Sequence, residues 1–240
     1  MFELLRDARM VLGKDLLIER SSRVVTAQVV PFAVMILILF GFGISPDLRI
    51  LDSTATVAPS VLSRVTPGLL FLAVLFASLL AIGRSFGVEA NDGTLDGLRM
   101  AGLDPAGIFL GKAGAVVVQL LGVSAVVTSG AFLFFSVRIE WSVARAVLGV
   151  TTAGAAITAI AAAGTLYSAL AAGQRERESL VPLLVIPVLA PVLLGASQAT
   201  EAALFGAVAD GWPWVAALAA FAALYVGAGI LSFETLLEDM

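Results

Sequence analysis

Six runs in this chain, each near the roughly 20 residues that a spanning helix needs, contain no Asp, Glu, Lys or Arg. They are approximately Val24–Ile44, Val65–Gly83, Ala113–Phe135, Ala146–Ala172, Leu180–Ala199 and Val215–Phe233. One such charge at mid-bilayer costs about 2.5–3.5 kcal/mol on insertion. The 14 basic and 18 acidic residues are accordingly confined to the connections and ends. With 60% hydrophobic residues and a mean hydropathy of +1.03, the apolar surface exceeds what one soluble core can hide. The sequence therefore predicts an all-α integral membrane protein, one domain over residues 1–240. It should have six transmembrane helices, an N-terminal amphipathic helix and a short cytoplasmic helix between spans 2 and 3. The fourth run is long enough to tilt.

Lys and Arg set the orientation. Arg6, Arg9, Lys14, Arg20 and Arg23 precede the first span. Arg84, Arg99 and Lys112 lie in the second connection, and Arg175 and Arg177 in the fourth. These ten share one side, against Arg49, Arg64, Arg138 and Arg145 on the other. The positive-inside rule makes the richer side cytoplasmic and, by parity, puts both termini there. Residues 1–23 mix acids with bases and lack an unbroken apolar core, unlike a secretory signal. Leu5, Ala8, Leu12 and Leu16 recur at helical steps instead. An amphipathic helix follows, suited to the headgroup plane or to bordering a cytoplasmic partner. On the outer side Trp141, Trp212 and Trp214, with Phe132, Phe134, Phe135 and Phe205 nearby, read as an interfacial aromatic belt.

Several chemistries are poorly supported. Without Cys or His, thiol chemistry, Fe–S ligation, zinc and His-based nucleophilic catalysis have no residues to work with. Haem iron could be held by this chain alone only through weak ligands such as Met35, Tyr167 or Tyr225. No cofactor is expected on the chain itself. The net charge of −4 argues against a nucleic-acid partner. Gly13-Lys14 and Gly111-Lys112 lack the Ser/Thr and the spacing of a P-loop. No span carries an ionisable relay. If the chain moves something, another protein supplies the energy.

The best clue to that protein is the charged insert Arg84–Lys112. Glu89, Asp92, Asp96 and Asp104 make it acidic. Asn91 or Asp92 can cap a helix beginning near Thr94, with Leu95, Leu98 and Gly102 on one face. Gly102 and Asp104-Pro105 should end that helix before the third span. An apolar stripe behind an acidic start suits docking into a groove on a soluble motor. Glu89, Asp92, Gly93, Thr94, Leu95, Asp96 and Leu98 are the candidate interface.

Two spans have their own composition. Pro182, Pro187 and Pro191 each remove an N–H donor from the fifth, which makes it a candidate bend, static or moving during a transport cycle. In the fourth, small residues at steps of four, such as Ala155, Ala159 and Ala163, allow close helix packing within the chain or between copies.

The string Glu89…Gly93-Thr94-Leu95-Asp96…Leu98…Asp104-Pro105…Gly111-Lys112 resembles the first cytoplasmic loop of six-span ABC-exporter permeases. Two further blocks resemble the second and fifth spans of the haem exporter B subunit of cytochrome c maturation, the CcmB family. They are Arg64…Pro67-Gly68…Phe76-Ala-Ser78-Leu79-Leu80-Ala81…Arg84-Ser-Phe86 and Ser179-Leu-Val-Pro182…Pro187…Pro191-Val-Leu. The resemblance covers nearly the whole chain in order and spacing. It implies a non-catalytic permease with ATP on a separate ABC subunit, in two copies, and haem as cargo of the complex. Implied partners are a haem-handling membrane subunit, a small membrane partner, a haem chaperone at the outer face, and a second permease copy or another membrane subunit. Asp96 departs from the Glu often found there in exporters, and Thr200–Trp214 matches no family pattern. A scaffold that spends ATP to release the haem-loaded chaperone, or a permease for another cargo, are the alternatives.

Overall fold

The computed structural model describes residues 2–22, 24–43, 61–85, 102–134, 142–172 and 177–239. Among them the elements are seven α-helices and no strand. In chain order these are α1 (Phe2–Ser22), α2 (Val24–Gly43), α3 (Val61–Ser85), α4 (Pro105–Phe134), α5 (Val143–Ala172), α6 (Arg177–Leu204) and α7 (Val208–Asp239). Helices satisfy every backbone polar group internally, which lipid demands.

Five helices are long and apolar enough to cross a membrane, over Arg64–Gly83, Pro105–Phe134, Val143–Ala171, Val181–Leu204 and Val208–Leu236. α2 carries a shorter apolar stretch, Val30–Phe40. The helices outrun the charge-free runs. α4 starts at Pro105, ahead of Ala113, because Asp104 caps it and Pro105 takes the first helical position, where a missing N–H costs nothing. The Asp-Pro pair expected to close the connection therefore opens the span.

α5 forms the centre. Ala156, Ile157 and Ala159–Ala163 are sealed from solvent, and α3, α4, α6 and α7 all pack against it. The step-of-four positions Ala159 and Ala163 are used here, inside the chain. Gly164 extends the same logic: a Cβ there would collide with the Ile82 side chain of α3. α2 sits at the side, against α3 and α4.

α6 is helical throughout despite its three prolines. Its inner face runs Val181, Val185, Leu189, Val192, Ala196 and Ala199, all buried at helical spacing. Pro187 and Pro191 fall on the exposed face and Pro182 is half-buried.

Candidate functional site

The candidate interface residues Glu89, Asp92, Gly93, Thr94, Leu95, Asp96 and Leu98 lie outside the described residues. The structure does describe what holds both flanks of that segment. On the upstream side, the Ser168 hydroxyl of α5 donates to the Ile82 carbonyl of α3 at 3.0 Å. Ile82 itself is fully buried against Gly164. The last turns of α3 are thus fastened to α5.

The downstream flank begins at Gly102, whose φ of 63° is the left-handed conformation suited to a helix stop. Asp104 follows as the cap of α4. Its Oδ1 accepts from the Ala106 N–H at 2.9 Å and the Gly107 N–H at 3.4 Å. Its own N–H donates to Oδ2 of Asp7, on α1, at 3.1 Å. Asp7 is 3% exposed. Arg6 Nε lies 3.3 Å from its other oxygen, so this buried carboxylate has a donor on each oxygen, as burial requires.

From there α1 runs alongside α4 in the same direction, seated on a ridge of glycines. A Cβ on Gly107 would sit 3.0 Å from Asp7 Cβ. One on Gly111 would sit 2.6 Å from both the Ala8 carbonyl oxygen and Val11 Cβ, and one on Gly114 2.8 Å from Leu12 Cδ1. Only glycine lets the two backbones approach this closely. Beyond the ridge, Lys112 Nζ meets Asp15 Oδ2 at 3.4 Å with the lysine side chain wholly inaccessible. Lys14 Nζ takes the other oxygen of Asp15 at 3.0 Å.

The opposite side of the same α4 turns enters the bundle. Ile108 and Phe109 pack in one apolar cluster with Val11 of α1, Ala162 and Ala169 of α5 and Phe233 of α7. The Phe109 and Phe233 ring centroids are 5.5 Å apart. Phe109 also lies where a Cβ of Gly229 would be. The start of α4 is therefore a junction of four helices.

At the other end of the bundle, Arg64 of α3 pairs with Glu201 of α6 at 3.2 Å, both part-exposed. Arg145 Nη1 donates to the Ala203 carbonyl at 3.1 Å. Trp212, Trp214 and Phe134 are exposed there, as interfacial aromatics would be; Trp141 and Phe135 lie outside the described residues. Of the weak haem-ligand candidates, Tyr167 and Tyr225 are near neighbours and Met35 is exposed on α2.

Motif and periodicity do not mark Asp7, Asp15 or Gly107 as contact residues, and Gly111-Lys112 enters the sequence reading only as a rejected P-loop pair and as part of the connection. The signals were present in the Gly107-x-x-x-Gly111 step and in Asp104-Pro105 as a helix start. The expected apolar stripe of α1 coincides with its contact face only in part: Ala8 and Leu12 lie against Gly111 and Gly114, Leu5 is 59% exposed, and Asp7 and Val11 are buried.

Comparison with known proteins identifies the family. Residues 6–235 match the family model described as CcmB protein. The chain is 29% identical to "Heme exporter protein B" of Haemophilus influenzae over 84% of its length and 82% of that protein. It is 30% identical to the protein of that name from Escherichia coli K12, over 84% of this chain and 82% of that one. With the Paracoccus denitrificans protein of the same name it shares 30% over 73% of this chain and 74% of that one. On a family match spanning nearly its whole length, the chain belongs to the CcmB family.

Proposed function

We propose that this chain is the permease subunit of an ABC-type complex for haem export or delivery in c-type cytochrome biogenesis. It catalyses no reaction itself, and a separate ATP-binding subunit, in two copies, supplies the energy. Family membership and the relatives' shared name support the haem assignment. α2 supplies the sixth crossing, both termini face the cytoplasm, and the membrane is the bacterial inner one. A haem-handling subunit, a small membrane partner and an outer-face haem chaperone complete the complex, with a second permease copy or another membrane subunit beside this chain.

The observation that carries the coupling role is the anchoring of both flanks of the insert on α5, through Ile82 upstream and Ile108–Phe109 downstream. A segment tied this way at each end cannot be displaced without moving the helices that hold it. Closure of the motor subunits on Glu89–Leu98 would push α3 and α4 against the centre of the bundle. Replacing Leu95 and Leu98 by Asp should reduce recovery of the ATP-binding subunit in a detergent pull-down; undiminished recovery would sink the docking claim.

The alternative reading is that the complex releases the haem-loaded chaperone and this chain moves no haem. Haem uptake into sealed vesicles bearing the purified complex, with an ATPase-dead control, separates the two readings. Pro182, Pro187 and Pro191 are proposed to let α6 bend in the cycle, since each leaves a carbonyl one turn earlier without its usual N–H.

A further inference from the structure

The charged contacts between α1 and α4 come in two places with one register. Asp7 meets Asp104 and Asp15 meets Lys112, each pair 97 residues apart in sequence. The contact points are therefore equally spaced on both helices, roughly 12 Å apart at 1.5 Å per residue. Between them lies the glycine ridge, where Gly107 and Gly111 touch the backbone of α1. One contact would leave α1 free to swivel; two on parallel helices, with backbone contact between, do not.

Lys112 is the unusual member. A lysine near the end of a membrane helix ordinarily extends its long stem toward water. This one is fully enclosed and turned to Asp15. Removing an ammonium from water is costly unless a paired anion compensates, so Lys112 favours α1 in this one position on α4. The acids of α1 that face the bundle, Asp7 and Asp15, serve the contact, while Arg9 and Arg20 stay exposed.

We infer that Lys112 and Asp15 are positioning residues that pin α1 to α4, so that α1 travels as one body with the end of α4 that receives the insert. The inference rests on the proposal that force enters through that insert. It adds that the N-terminal helix is a moving part of the transmission.

Two measurements test it in the assembled complex. The first uses the Asp15→Asn/Lys112→Met double variant, which removes both charges and leaves neither ion unpaired, and the charge exchange Asp15→Lys/Lys112→Asp. Holo-cytochrome c formed per ATP hydrolysed should fall about tenfold in the neutral variant, within the range by which residues along a coupling route act. Recovery of the ATP-binding subunit should hold, and the exchange should restore part of the yield. A merely structural role would lower recovery and yield together with no rescue. A neutral variant with the wild-type ratio overturns the inference.

The second measurement does not depend on those variants folding. The chain has no cysteine, so spin labels can be placed singly at exposed Leu17, Gly122 and Leu194. The Leu17–Gly122 distance should be the same without nucleotide and after ATP–vanadate trapping, while Gly122–Leu194 changes. A changed Leu17–Gly122 distance overturns the pin. If neither distance changes, α4 does not move, and it is the coupling proposal that fails.

Discussion

The two ends of the bundle both use ion pairs, but in opposite ways. At the insert end, Lys112–Asp15 and the Asp7–Asp104 contact are buried between α1 and α4, over glycines that bring the backbones together. At the far end, Arg64–Glu201 is about one-third exposed on each side, and a Cβ on Gly68, one turn along α3, would make only an ordinary 3.8 Å contact with Ser197 Oγ. A half-exposed pair contributes about 0–1 kcal/mol, whereas removing one partner of a buried pair costs about 3–5 kcal/mol. The pairing at the insert end is thus the costlier of the two to break. Under the proposed coupling, that suits an end that receives a push.

The contrast can be broken most severely at the glycine ridge. Gly111→Val places a side chain on the Ala8 carbonyl, which cannot move aside without moving α1. Overpacking typically costs about 1–3 kcal/mol, and more where backbone is in the way. The expected outcome is release of α1, read as rapid tryptic cleavage at Arg9 and Arg20. Gly122→Val, at an exposed site with nothing within 4 Å, should cleave like the wild type. Equal cleavage of both variants would mean that the ridge does not hold α1.

Breaking the buried pair from one side comes next. Lys112→Met leaves Asp15 paired with Lys14 and should destabilise the protein by about 2–3 kcal/mol, below the full cost of an unpaired buried charge, seen in the detergent-unfolding midpoint. The double neutral variant should lose less. Asp104→Ala removes the α4 cap and should cost about 1 kcal/mol by the same measurement. The smallest effect is expected at the far end: Arg64→Gln should shift the midpoint by less than about 1 kcal/mol. A larger shift there than for Lys112→Met would reverse the comparison.

The helices were legible because lipid penalises charge so heavily that the charge-free runs mark them. Pro105 shows where that signal stops: helical structure continues past the apolar run, and a cap and a proline, not hydropathy, decide its start. The contact face of α1 was legible from periodicity only in part. Ala8 and Leu12 of the apolar stripe meet Gly111 and Gly114, and Asp7 and Asp15 join them because the partner surface also carries an N–H donor and a lysine. Glu89–Leu98, which the motif reading singled out, lie outside the described residues, and their docking rests on the proposal above.

By itself, the sequence determined a membrane protein whose helices are built around charge-free runs, with one polar insert, and by resemblance its family. Each of these follows from local composition or from an ordered motif. Only the tertiary structure decided that the insert is held from both sides on α5 and that α1 is locked to α4 through Asp7 and Asp15. Those facts depend on residues 86 or 97 positions apart meeting at about 3 Å, and no window along the chain contains both members of such a pair.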